Sequence, residues 1–138
     1  MKLRGLLALA LVVLLGVVAA ACSSYDPESS DSAGPARLLE PTAYAAILES
    51  NARFVVNVHT PDEGQIAGTD VAIPFDELEQ RASELPGERS KLAIYCMSGN
   101  MSETAAQTLA AMGYDDVVDL RGGMEAWQAS GREIQPSA

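Results

Sequence analysis

The chain is poor in the residues that build metal and disulfide scaffolds, with two cysteines and one histidine among 138 residues. Two cysteines cannot staple a disulfide-dense mini-protein, and no Cys/His cluster has the spacing of a zinc site. Basic residues are scarce too: nine Lys and Arg stand against nineteen Asp and Glu, for a formal net charge of −10. That balance excludes the electrostatic footprint of a nucleic-acid binder, because the phosphates would be repelled. An anionic membrane surface would repel it likewise. The length fits one domain, since a domain takes roughly 100–200 residues.

No apolar run reaches the ~20 residues of a membrane-crossing helix. The longest, residues 6–21, is an unbroken stretch of sixteen Leu, Ala, Val and Gly residues behind Lys2 and Arg4. A basic start, a short apolar stretch and small residues before a cut describe a secretory signal. Val18-Ala19-Ala20-Ala21-Cys22 resembles a bacterial lipobox. That resemblance implies a signal over residues 1–21, cleavage before Cys22 and lipidation of Cys22; the alternatives are an ordinary signal peptide with an incidental cysteine and an uncleaved N-terminal anchor. It places the rest of the chain on the extracytoplasmic face of a cell membrane. Two or more acyl chains give stable anchoring where one binds only marginally.

Residues 23–37 (SSYDPESSDSAGPAR) are rich in Ser, Asp, Pro, Ala and Gly and carry neither a helical nor a strand period. Residues 22–37 are therefore expected to be a lipidated cysteine and a flexible tether, with the domain proper spanning 38–136. Cleavage would leave seven basic and nineteen acidic residues, a formal charge of −12.

Within the domain, short β-branched runs alternate with helical patterns. Residues 54–58, 92–95 and 117–120 read as strands, and 71–73 as a weaker one. Their near-continuous apolar character suits a sheet buried on both faces. Helical spacing is expected over 42–50, 75–85, 102–112 and 124–130. In the second of these Phe75, Leu78, Ala82 and Leu85 share one side. Gly113 and Gly131 stand as stop signals. Strand alternating with helix predicts an α/β fold with a mainly parallel central sheet flanked by helices.

The chemistry concentrates at Cys96, which ends one of these strands and opens the segment Cys96-Met97-Ser98-Gly99-Asn100-Met101-Ser102 before a helix. A strand, a tight polar loop with glycine and a helix N-terminus make an anion cradle of backbone N–H groups. Thiolate is the nucleophilic form of cysteine, and such a cradle favours it. The bland alternative is a small buried hydrophobe at a strand end.

The order of elements and this loop resemble the single-domain rhodaneses, the thiosulfate sulfurtransferase-like proteins, whose loop reads C-R-S-G-x-R-S. Leu120-Arg121-Gly122-Gly123-Met124-Glu125-Ala126-Trp127 is similar to the family's L-x-G-G-x-x-A-W. Residues 55–75 resemble its V-x-D-V-R segment and the G-H-I-x-G-A and I-P elements beyond it, so the likeness runs from about Leu38 to Ile134. The resemblance implies a three-layer rhodanese-like fold and a catalytic Cys96 that carries sulfane sulfur as a persulfide. Residues 97–102 would bind the anion. A small sulfur donor and a thiol or protein acceptor would be the partners, with no metal or organic cofactor and a monomer as the default.

Departures from the pattern bear on the substrate. Met97 and Met101 stand where the family has arginines that help bind the anionic donor, a task suited to a rigid fork of donors. Thiosulfate should therefore bind poorly. Asn57-Val58-His59 replaces D-V-R. Related phosphatases and arsenate reductases use Cys-x5-Arg, which would require arginine where Ser102 stands. Arg121 is a candidate for the missing positive charge, or else a surface residue pairing with Asp119 or Glu125. His59 is a candidate proton shuttle, or else a structural loop residue. A non-catalytic binding module, or a redox sensor using the same pocket, is the alternative to an enzyme.

Overall fold

A computed structural model of the chain describes residues 34–87 and 89–137. The leader, the Cys22 lipidation site and the tether as far as residue 33 lie outside the described residues. Five strands form one sheet in the order β1-β5-β4-β2-β3: β1 (Arg37–Leu39), β2 (Phe54–Asn57), β3 (Val71–Ala72), β4 (Leu92–Tyr95) and β5 (Val117–Leu120). All four pairings are parallel. The helices are α1 (Pro41–Ser50), α2 (Asn100–Ala111) and α3 (Gly123–Ala129). This is the three-layer α/β architecture of the rhodanese-like proteins.

Because side chains alternate along a strand, each central strand feeds two cores. Val55, Ala93, Tyr95, Val118 and Leu120 join Tyr44 of α1 and Met124 and Trp127 of α3 on one face. Val56, Val58, Leu92, Ile94, Cys96 and Val117 join Ala105, Ala106 and Leu109 of α2 on the other. Every residue of β4 and β5 is buried, and each fully buried large aliphatic contributes about 1.5–3 kcal/mol. Tyr44 and Trp127 meet edge to face at 6.4 Å, while the Tyr44 hydroxyl donates to the Ile94 carbonyl at 3.1 Å.

Two expectations need correction. The apolar spacing over 75–85 predicts a helix, but the chain there runs through turns with a single 3₁₀ turn at Ala82–Glu84. Its bonds are mostly of the tighter i to i+3 kind, Glu77 to Pro74, Glu84 to Arg81 and Leu85 to Ala82. Pro74 and Pro86 bound the stretch, and its tight turns bring Leu78 and Leu85 to the core without a continuous i to i+4 ladder. Leu78 and Leu85 still pack into the α2-side core, whereas Ala82 is exposed. The tether expected to run through Arg37 ends sooner: Arg37 opens β1 opposite Val118, and Ala36 packs against the core. Three residues without a strand period become a strand because the open edge of β5 supplies the partner. No helix among the described residues is long and apolar enough to cross a membrane.

Candidate active site

Cys96 directly follows β4, at the carboxyl end of a central strand, where parallel sheets present their ligand sites. Gly99 turns the loop at φ 109°, a left-handed conformation that side chains rarely adopt, and caps α2. The turn brings the Gly99 N–H to 3.0 Å from the Cys96 sulfur. A donor at that distance stabilises negative charge on sulfur. Cys96 itself is buried, with Ser98 and Asn100 exposed at the rim of the loop.

The loop is held from α3. The N–H groups of Met124 and Glu125 donate to the carbonyls of Cys96 and Met97 at 2.9 and 3.0 Å. Gly123 makes this approach possible. Its φ is 59°, and a Cβ there would run into the carbonyl oxygens of Cys96 and Met97. Gly123 is thus a docking device that lets the first turn of α3 close against the cysteine loop, while Gly122 caps α3 at a left-handed φ.

A second chain of contacts reaches the sulfur from the sheet. The Cys96 thiol donates to the Ser102 hydroxyl oxygen at 3.5 Å. Ser102 lies within reach of Asp119 Oδ2 at 2.8 Å and of the Gly99 carbonyl at 3.1 Å. Asp119 is paired in register with Ile94 on β4, on the face that carries Cys96. It is only 2% exposed, and its Oδ1 has no hydrogen-bond partner among the described residues. Burial pushes its carboxyl up to about 7, opposed by the Ser102 hydroxyl and the Leu120 N–H and assisted by Glu103. Sequence reasoning assigned Asp119 no part in the site. The signal was present as an acidic residue inside the buried run Val-Val-Asp-Leu, where an unpaired charge is costly.

Beside the loop lies a cavity of about 460 Å³, walled by residues 98–100, Glu103, Asp119 and Arg121 and faced by residues 34–36. Arg121 lines this cavity, and its Nε pairs with Glu40 Oε1 at 2.8 Å. Met97 and Met101 pack against opposite cores, so they fill space where the family pattern has cations. His59 stands in a different cavity, of about 390 Å³, with Asn57, Asp62 and Asp70. Its Nε2 meets Glu63 Oε2 at 2.6 Å.

A parallel α/β domain with a cysteine-bearing loop between a central strand and a helix defines the class of protein. The rhodanese-like domain model matches residues 40–130, and the chain belongs to that family. It is 37% identical over 84 residues to a sulfurtransferase of Allochromatium vinosum, covering 59% of this chain and 77% of that one. It is 33% identical over 89 residues to the thiosulfate sulfurtransferase GlpE of Ectopseudomonas mendocina, covering 60% and 77%. Among solved structures, a rhodanese-related protein of Thermoplasma volcanium superposes with a TM-score of 0.59 at 28% identity, over 70% of this chain and 94% of that one.

Proposed function

We propose that the chain is an extracytoplasmic, lipid-tethered sulfurtransferase that carries sulfane sulfur on Cys96. The observation that carries this reading is the Cys96 sulfur on the Gly99 N–H, in a loop clamped by α3. In the first half-reaction the Cys96 thiolate attacks the outer sulfur of a donor. A bond between Cys96 and that sulfur forms as the donor's own bond to it breaks, and the donor's remainder leaves with the electron pair. In the second, an acceptor nucleophile takes the outer sulfur and Cys96 departs as thiolate. No redox partner is required, because sulfane sulfur passes between nucleophiles without net oxidation of the protein.

The donor is expected to be an organic persulfide rather than thiosulfate. Met97 and Met101 replace the clamp cations, Arg121 is engaged by Glu40, and Glu103 and Asp119 bring carboxyl groups to the cavity. A dianionic donor meets no unshared guanidinium fork there. Incubating the protein with cysteine persulfide and, separately, with thiosulfate tests this. The reading expects sulfur loading from the persulfide, weak loading from thiosulfate and none from either in Cys96→Ser. Equal loading from both donors would end the substrate assignment. The anchor rests on residues 2–22, and Cys22→Ala is expected to release the protein from membranes.

A further inference from the structure

Asp119 lies buried behind the Cys96 sulfur with one carboxyl oxygen unpartnered among the described residues. Apolar residues fill the neighbouring positions of β5, Val117, Val118 and Leu120, and an aliphatic side chain would fit the run better. The carboxyl group also has a defined connection. From Cys96 the thiol donates to Ser102 Oγ, and Ser102 Oγ lies 2.8 Å from Asp119 Oδ2. Residues from β4, α2 and β5 thus form one line, set by the β4–β5 register and by the first turn of α2.

We infer that Asp119 is a positioning residue that accepts the Cys96 proton through the Ser102 hydroxyl when the thiolate forms. The inference rests on Cys96 being the reactive thiol, as proposed above. The step balances as a double transfer. The S–H bond of Cys96 breaks and its proton joins Ser102 Oγ, while the proton already on Ser102 Oγ passes to Asp119 Oδ2. Ser102 ends as a neutral hydroxyl whose new proton faces the thiolate, and Asp119 ends as a neutral acid. No charge is added to the interior: the negative charge moves from carboxylate to sulfur, where the Gly99 N–H receives it.

The surroundings of Asp119 fit that task. Ser102 and Glu103 face it from α2, Cys96 lies beyond Ser102, Tyr44 of α1 feels its charge, and Arg121, held by Glu40, shares its cavity. Burial raises the carboxyl to about 7, so near neutral pH it is matched to take up and return a proton. A carboxylate beside a thiol would by charge alone oppose the thiolate. The hydroxyl between them turns that opposition into an exchange.

The test is the pH profile of Cys96 alkylation by iodoacetamide in the full chain, read by mass spectrometry on the peptide that carries Cys96. In the native protein the rate is expected to rise near pH 7, as Asp119 gives up its own proton and becomes able to take the one from Cys96. In Asp119→Asn the rise should move to higher pH and the rate at pH 7 fall by about tenfold to 100-fold. Ser102→Ala should do the same, Ser102→Thr should restore the native profile, and the double variant Asp119→Asn with Ser102→Ala should be no worse than either single one. An unchanged or faster rate at pH 7 in Asp119→Asn would overturn the inference, since removing a repelling charge gives that result. If Asp119→Asn does not fold, the Ser102→Ala and Ser102→Thr pair decides. Alkylation requires no sulfur donor, so a protein that shows this profile but takes up no sulfur would sink the transferase reading alone.

Discussion

Two pockets open near the carboxyl ends of the parallel strands, and each holds one buried polar atom without a partner among the described residues, Asp119 Oδ1 in one and His59 Nδ1 in the other. The His59 pocket is a local construction. Asn57 donates to the Gly64 carbonyl, the His59 N–H donates to Asn57, Asp62 accepts from the Gly64 N–H, and Ser137 closes on Asp62. Apart from Ser137 these partners lie within eight residues of one another, and they shape a loop. The Asp119 pocket joins three separate elements, and its hydrogen bonds run to Cys96. An orphaned polar atom acquires chemical meaning from what it is wired to, and only Asp119 is wired to the cysteine by hydrogen bonds.

The largest effect should come from the clamp that sets the two regions apart. Gly123→Ala places a Cβ against the Cys96 and Met97 carbonyls at a left-handed φ. It is expected to cost at least about 3 kcal/mol in chemical denaturation and to abolish sulfur loading. Retained loading with unchanged stability would mean that α3 does not hold the loop.

Next in size is the pH dependence of stability. Between about pH 4 and pH 7 an unfolded Asp119 is ionised while the native one keeps its proton. The native chain therefore binds more protons in that window, and Asp119 makes stability fall as pH rises, by up to about 4 kcal/mol in all. Urea midpoints across this window should be flatter in Asp119→Asn than in the native protein. An identical slope in the two proteins would show that the carboxyl group ionises freely. Asp62 in the other pocket has the opposite sign. The Ser137 hydroxyl and the Gly64 N–H hold its carboxyl below the usual range, so any contribution it makes is present at neutral pH and is lost in acid.

Restoring cations should sharpen the contrast in substrate. Arginine at both positions, Met97→Arg with Met101→Arg, is expected to raise thiosulfate turnover about tenfold, close to the value of one charge-assisted contact. No gain would show that the cavity gets its positive charge elsewhere. The smallest effect belongs to His59. His59→Ala should leave the sulfur-loading rate within about twofold, since the His59 ring meets the Glu63 carboxylate and lines a different cavity from Cys96. A large loss of loading would bring the His59 pocket into the reaction.

Features of this fold differ in how legible they are from sequence, according to what each depends on. β2, β4 and β5 are runs of buried β-branched and aliphatic residues, and α2 carries its own apolar period and a glycine at each end. The cysteine loop and the double-glycine segment were legible because their function needs particular residues at fixed spacing. β1 was not, because Arg37–Leu39 becomes a strand only by pairing with β5. Residues 75–85 keep the apolar side that their spacing suggests but lack the continuous hydrogen-bond ladder of a helix. Asp119 escaped notice for a similar reason. Its link to Cys96 depends on the register that sets it beside Ile94 and on the helix turn that lowers Ser102 between them. The Arg121–Glu40 pair was not legible, since Glu40 lies eighty-one residues away in sequence and is brought near by the β1–β5 pair.

The most direct measurement is the mass of the Cys96 peptide after brief exposure of the full chain to cysteine persulfide and removal of excess reagent. A gain of one sulfur atom, reversed by a thiol acceptor and absent in Cys96→Ser, is the predicted result. An unmodified Cys96 peptide in a folded protein, with the donor still intact, would contradict the account.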